Sequence, residues 1–214
     1  MLYENLFTEL FLKIDDPKTI LNFISACKLF YSIGTLHQEI KKIHLTICIR
    51  SSSKIYHILP NGTLHGLYQL LFQNGTIRKR LNYKNGFKHG LSQKFYPNGQ
   101  IFKQIYYINN KYHGSFFIWN KKGILLESKF YHHGLKHGLM EYYDMSGQLY
   151  KQVNYRDGIK QGRHLLLYHD GSFSIKHYFN NNEKFLIQQY NPSGILTTQF
   201  TLLAGLLNGL HRTY

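Results

Sequence analysis

The sequence predicts an α+β protein: a short helical segment over residues 1–50, then an elongated all-β array of stacked antiparallel hairpins over residues 51–214. Three observations carry this expectation. From residue 62 onward glycine recurs at one fixed step, as in the run Gly66, Gly90, Gly114 and Gly138. Between the glycines, Asn-Gly and Ser-Gly pairs separate short runs in which apolar and polar residues alternate imperfectly, the signature of hairpins and their turns. The first fifty residues show neither feature and space their apolar side chains as a helix does.

Leu2, Leu6, Phe7, Leu10, Phe11 and Ile14 fall at helical spacing. Asp15-Asp16-Pro17 reads as a stop followed by a start, with Asp16 as cap and Pro17 at the first position of the next helix. Ile20, Leu21, Phe23, Ile24 and Cys27 continue on that second helix. Leu29, Phe30 and Ile33 follow, Gly34 breaks the pattern, and Leu36, Ile40 and Ile43 suggest a fourth short helix. Fifty residues cannot bury so many apolar groups in a core of their own. The excess is expected to pack on the first hairpins or on a partner protein.

The repeat comes in three phased glycine series. The first is Gly66, Gly90, Gly114, Gly138, Gly162 and Gly209, with Phe185 in the one vacant place. The second is Gly75, Gly99, Gly123, Gly147, Gly171 and Gly194. The third is Gly62, Gly86, Asn110, Gly134, Gly158, Asn182 and Gly205, where asparagine twice replaces glycine. Asparagine is the residue that next best tolerates a positive φ. All three series slip by one residue near Phe185. Tyr83, Tyr107, Tyr131, Tyr155 and Phe179 share one phase, and Phe95, Trp119, Tyr143 and Tyr190 another. These are expected core rows. Tyr68, Phe102, Tyr106, Tyr112, Phe116, Tyr142 and Tyr150 fall outside those rows and are expected to be freer to form a contact face. Each repeat is then one hairpin, joined to the next through a Gly-x-x-His-Gly turn. A lone hairpin is barely stable in water, so successive hairpins must stack.

Charge is unevenly placed. Of the net +15, residues 1–50 carry +1 and residues 51–214 carry +14. Such a field attracts nucleic acid, anionic lipid headgroups or an acidic protein. Bases at equivalent repeat phases, Lys88, Lys136 and Lys160, should line up as a stripe. No apolar run approaches the ~18 residues a helical membrane span needs. Glu4 and Glu9 stand where a signal peptide would carry bases. The expectation is an intracellular, cytoplasmic protein. Cys27 and Cys48 cannot build a disulfide framework or a four-thiolate zinc site.

Chemistry-bearing constellations are scarce. His65, His89, His113 and His137 each precede a first-series glycine. Equivalent positions in stacked hairpins lie ~10 Å apart, too far to share a metal whose bonds are ~2 Å. His132-His133 with His137 is the densest cluster, and the sequence places no carboxylate or thiolate beside it. The repeats hold six acids, Glu127, Glu141, Asp144, Asp157, Asp170 and Glu183, with no pairing suited to acid–base work. No glycine loop is followed by a helix start, as a phosphate loop requires. The expectation is therefore no catalytic residue, no cofactor, no metal and no enzyme activity.

The stretch YKNGFKHGLSQKFYPNGQIFKQIYY (residues 83–107) resembles MORN repeats of the divergent variety, and the resemblance extends over about residues 55–214. LYENLFTELFLKIDDPKTILNFISACKLFYSI (residues 2–33) resembles an F-box, a helical hook that binds the small Skp-type adaptor of cullin–RING ubiquitin ligases. In that register Leu2, Leu6, Leu10, Ile14, Pro17 and Ile20 would contact the adaptor. The pairing of hook and hairpins resembles proteins of large DNA viruses of amoebae, which would place the chain in a host cell cytoplasm. The resemblances together imply an adaptor that holds a target protein on its repeats and recruits a ubiquitin ligase. A membrane-apposed scaffold on anionic lipid, with end-to-end self-association of the array, is the alternative. Nucleic acid is not expected as a partner, because aromatics that keep repeat phase are core formers.

Overall fold

The computed structural model describes residues 46–168, 170, 172–208 and 211–213. Among these the protein is all-β, with seventeen strands and no helix. The expected α+β class is therefore corrected. Ile47–Arg50, inside the segment expected to be helical, is strand β1, paired antiparallel with β2 (Lys54–Ile58). The other helical expectations, with Leu2, Leu6, Leu10, Ile14, Pro17 and Ile20, lie outside the described residues.

Two compact units divide the chain. The described part of the first runs from residue 46 to Gly99 and includes Tyr107–Asn110. It contains β1, β2, β3 (Leu64–Leu71), β4 (Ile77–Lys84) and β5 (Phe87–Phe95), each paired antiparallel with the next along the chain. The second holds Gln100–Tyr106 and residues from Lys111 on. β6 (Ile101–Ile108) precedes β7 (Lys111–Trp119) and β8 (Leu125–His132). β9 (Leu135–Lys136) and β10 (Gly138–Tyr143) are two halves of one strand interrupted at His137, and both pair with β8. β11 (Leu149–Arg156), β12 (Ile159–Leu167), β13 (Phe173–Asn180), β14 (Glu183–Tyr190) and β15 (Leu196–Leu203) follow as a continuous antiparallel meander. β16 (Leu206–Leu207) and β17 (Arg212–Thr213) pair on the last of these.

The three glycine series do three different jobs. Gly75, Gly99, Gly123, Gly147 and Gly194 close the wide turn of each repeat, donating to the carbonyl three residues upstream. Gly62 makes the same bond, to Leu59, so it belongs with these although it keeps the phase of Gly86. The tight turns are Asn85-Gly86, Asn109-Asn110, His133-Gly134, Asp157-Gly158, Asn181-Asn182 and Ala204-Gly205. Both residues of each have positive φ, which makes them two-residue type I′ hairpins. Gly66, Gly90, Gly114, Gly138 and Gly162 are not at a turn tip. They lie inside β3, β5, β7, β10 and β12 at positive φ. Where pairing is described next to them, the register shifts. Leu81 faces Ser92 and Tyr83 faces Lys88, so three residues of β5 oppose one of β4. That is a β-bulge of the larger kind, with two surplus residues.

The slip at Phe185 follows from the same device. In β13 and β14, Tyr178 faces Leu186 and Phe179 faces Lys184, so Phe185 alone is extra. The bulge has shrunk from two surplus residues to one. One missing residue and one missing glycine are a single event.

A row of buried and half-buried side chains runs along the middle of each unit. Leu81 and Ser92 face each other in the first, with Tyr68 opposite Leu81. In the second, Phe116, Lys129, Met140, Val153, His164, His177, Ile187 and Phe200 occupy the equivalent slot. Phe116 is buried, so the expectation that it belongs to a free contact face is corrected. Its slot holds Tyr68, Ser92, Met140, His164 and Ile187 in other repeats, and so varied a set hides the row in the sequence.

Candidate interaction surface

Alternation along a strand puts every second side chain on one face, and direct pairing carries that face to the next strand. The face with the buried row is cationic. In the first unit it bears Lys54, Lys79, Lys88 and Lys94. In the second it bears Lys103, Lys129, Lys136, Lys151, Lys160 and Lys184 against one acid, Glu127. No acid of any kind occurs between Glu39 and Glu127.

The lysines lie over rings. Lys88 sits 5.6 Å from the Tyr107 ring centre, Lys136 5.0 Å from Tyr155 and Lys160 5.1 Å from Phe179. Each base of the expected stripe thus covers an aromatic of the strand that follows it. Lys103 lies 4.5 Å from Phe116, Lys129 4.9 Å from Tyr142 and Lys151 5.3 Å from the same Tyr142. Ring quadrupoles attract the ammonium groups and hold the charges in place on a half-buried surface. Lys129 is the exception in charge balance, since it is paired with Glu127 at 2.5 Å. Burial, then Lys88, Lys94 and Arg78, lower the Lys79 pKa below its ordinary value. Desolvation leads that lowering, and neighbouring like charge adds to it.

The opposite face is a ladder of amides and other hydrogen-bonding groups. Arg80 Nε donates to Gln93 Oε1 at 2.7 Å, Gln152 Nε2 to Glu141 Oε1 at 2.9 Å and Gln188 Nε2 to Gln199 Oε1 at 2.7 Å. Tyr143 donates to Glu141 and Tyr190 to Gln188. Burial, then the bond to Glu141, pushes the Tyr143 hydroxyl up to about 12. Many of these side chains satisfy one another, and in the first unit this face also bears Arg50, Arg78, Arg80 and Lys84.

The tight-turn edge carries the histidines. In three repeats the residue before the first-series glycine accepts a bond from the backbone of the next tight turn. Asn85 N donates to His65 Nδ1, His133 N to His113 Nδ1 and Asn181 N to Gln161 Oε1. His65 and His113 are turn caps, whereas Nδ1 of His89, in the same phase, is buried without a partner. At His137 the partner is a carboxylate, with Nδ1 3.0 Å from Asp157 Oδ1. His132 Nδ1 is 3.6 Å from the same oxygen. Hydrogen bonding from His137 holds the Asp157 carboxyl below its ordinary pKa. The expectation that nothing acidic stands beside the histidine cluster is corrected: the carboxylate arrives from the next tight turn along the edge. A cleft of about 570 Å³ in the second unit is lined by Phe179, Lys184, Phe185, Leu202 and Leu203 among others, with Glu183 its one acid. Gly171 and Gly209 of the expected series lie outside the described residues.

Residues 64–85, 88–109 and 136–157 match the family model described as a MORN repeat variant. The chain carries three copies of that repeat, which suggests a protein-interaction or membrane-binding module. No curated protein matches the chain. Among solved structures it is similar to a GtfA/B complex bound to UDP and GlcNAc, with 10% identity, 60% of this chain and 23% of that chain covered, and a TM-score of 0.22. It is also similar to TarM, with 16% identity, 78% and 26% covered, and a TM-score of 0.23. A mutant S. aureus TarM with fondaparinux, alpha-GlcNAc-glycerol and UDP is similar at 14% identity, 78% and 27% covered, and a TM-score of 0.23. The chain spans about a quarter of the length of these proteins. Scores this low carry no argument about activity.

Proposed function

We propose that the chain is a non-catalytic interaction module whose lysine-bearing face takes an acidic protein segment. One observation carries the reading: four lysines share one face of the first unit with the rings of Tyr56, Tyr68 and Tyr83, and no acid stands within its described residues. The stripe bases Lys88, Lys136 and Lys160 are half-buried beside rings and do not project. That suits a chain segment able to lie among them, with carboxylates on the ammonium groups and backbone over the rings. A bilayer would meet only groups that protrude. Reading residues 2–33 as a hook for a Skp-type adaptor rests on the sequence resemblance alone.

The test is a binding titration of a fluorescent polyglutamate peptide against the full chain, beside vesicles containing phosphatidylserine. The expected result is peptide binding that weakens as salt rises and falls at least tenfold in a Lys88→Glu, Lys136→Glu, Lys160→Glu variant. Vesicle binding without peptide binding, or peptide binding indifferent to the reversals, overturns the proposal.

A further inference from the structure

We propose that His132, His137 and Asp157 form a binding site for a zinc-type divalent cation at the tight-turn edge of the second unit. Three chain positions converge there. His132 is the last residue of β8, before the turn at His133-Gly134. His137 interrupts the following strand between β9 and β10. Asp157 opens the next tight turn along the edge. Their ligand atoms all lie within 4.8 Å of one another. The two imidazole nitrogens are 3.0 and 3.6 Å from the carboxylate oxygen.

Those separations fit the ion. Tetrahedral zinc with bonds of about 2.0–2.1 Å sets its ligand atoms roughly 3.3 Å apart. Small side-chain rotations would bring the three donors onto one centre. Two imidazoles and one carboxylate also match the borderline ligand preference of zinc, and three protein ligands leave a fourth position open. His133 stands next to the set, with its ring 4.5 Å from that of His132.

The neighbouring repeats supply a built-in control. The same three positions hold Lys84, His89 and Asn109 two repeats earlier. They hold Ile108, His113 and His133 one repeat earlier, and Arg156, Gln161 and Asn181 in the repeat after the proposed site. Among the described residues, this repeat alone has a metal donor with the right chemistry at all three. A turn cap needs only the pair formed by His137 and its turn partner. It does not need His132, and it is served by asparagine at Asn85 in place of a carboxylate. The extra histidine and the charge are what the structural role leaves unused.

The experiment uses the untagged full chain and Zn²⁺ as probe, by titration calorimetry and by the thermal unfolding midpoint with and without the ion. Asp157→Asn is the informative variant, because it installs the residue other repeats already carry and keeps the turn cap. The expected result is one Zn²⁺ per chain, with affinity reduced at least tenfold in Asp157→Asn and in His132→Gln and unchanged in His65→Gln. The rise in unfolding midpoint with Zn²⁺ should shrink in Asp157→Asn while its metal-free midpoint stays at the parent value. Absence of binding to the parent chain overturns the site. So does binding by the Asp157→Asn and His132→Gln variants that equals the parent's.

Discussion

Asn110 illustrates how a repeat position can be improved by departing from glycine. Its φ of 66° is a conformation that most side chains resist. Its backbone N–H donates to the Lys88 carbonyl, and its Oδ1 accepts from the Lys88 N–H at 2.8 Å. Asn182 makes the same two bonds to Lys160. Glycine at these positions keeps the first bond and forgoes the second. Asn110→Gly should therefore cost about 0.5–1 kcal/mol, one exposed hydrogen bond. Asn110→Ala should cost about 2 kcal/mol, because left-handed strain is added. Urea unfolding of the two variants separates these contributions. The substitution pattern was visible in the sequence. The bond that explains it was not, because it joins Asn110 to Lys88 on the far side of a whole hairpin arm.

At the scale of the element, the bulge explains the repeat length. Two strands and two turns fill the interval from one glycine to its successor only if one strand carries two surplus residues. Gly138, at φ 72° with nothing within 4 Å of an added Cβ, isolates the backbone requirement from packing. Gly138→Ala should destabilise by about 1–2 kcal/mol through strain alone. Gly147→Ala should cost more, since its Cβ would meet Ile124 Cγ2 at 3.1 Å. A thermal unfolding series of both variants tests the order, and equal or reversed losses refute it. The spacing of these glycines was legible as a period. Their role was not, because a turn glycine and a bulge glycine leave the same mark in a sequence.

For the whole molecule, the buried rows make stability depend on protonation. His164 and His177 face each other in the second unit with ring centres 5.4 Å apart. Both nitrogens of His164 are buried without a partner. Burial, assisted by His177 and the lysines 151, 160 and 184, pushes the His164 pKa down to about 4. Burial, then Lys184 and Lys160, push His177 down to about 4 as well. In the unfolded chain each imidazole titrates near its ordinary 6.5. Between those values the unfolded chain holds more protons, so the stability these groups permit is full above about pH 6.5 and falls as pH drops toward 4. With solvent screening of half-buried groups discounted, the loss is about 1–2 kcal/mol. A His164→Leu, His177→Leu variant should unfold with a midpoint that varies much less between about pH 7 and pH 5. A dependence as steep as the parent's rules this out.

What the sequence determined by itself is whatever repeats: the glycine period, the hairpin turns, the single slip near Phe185 and the concentration of charge in residues 51–214. Periodic signals survive in one dimension because every repeat restates them. What only the tertiary structure decided is whatever pairing brings together from different repeats. It placed Lys88, Lys136 and Lys160 on the buried-row side of each unit's strands, put Phe116 in the buried row and set Asp157 against His132 and His137. It also showed strand at Ile47–Arg50, where local apolar spacing had suggested helix. The physical reason is the same in each case. A strand's partner is chosen by backbone hydrogen bonds between segments well separated in the chain, and a side chain's neighbours follow from that partner rather than from its own segment.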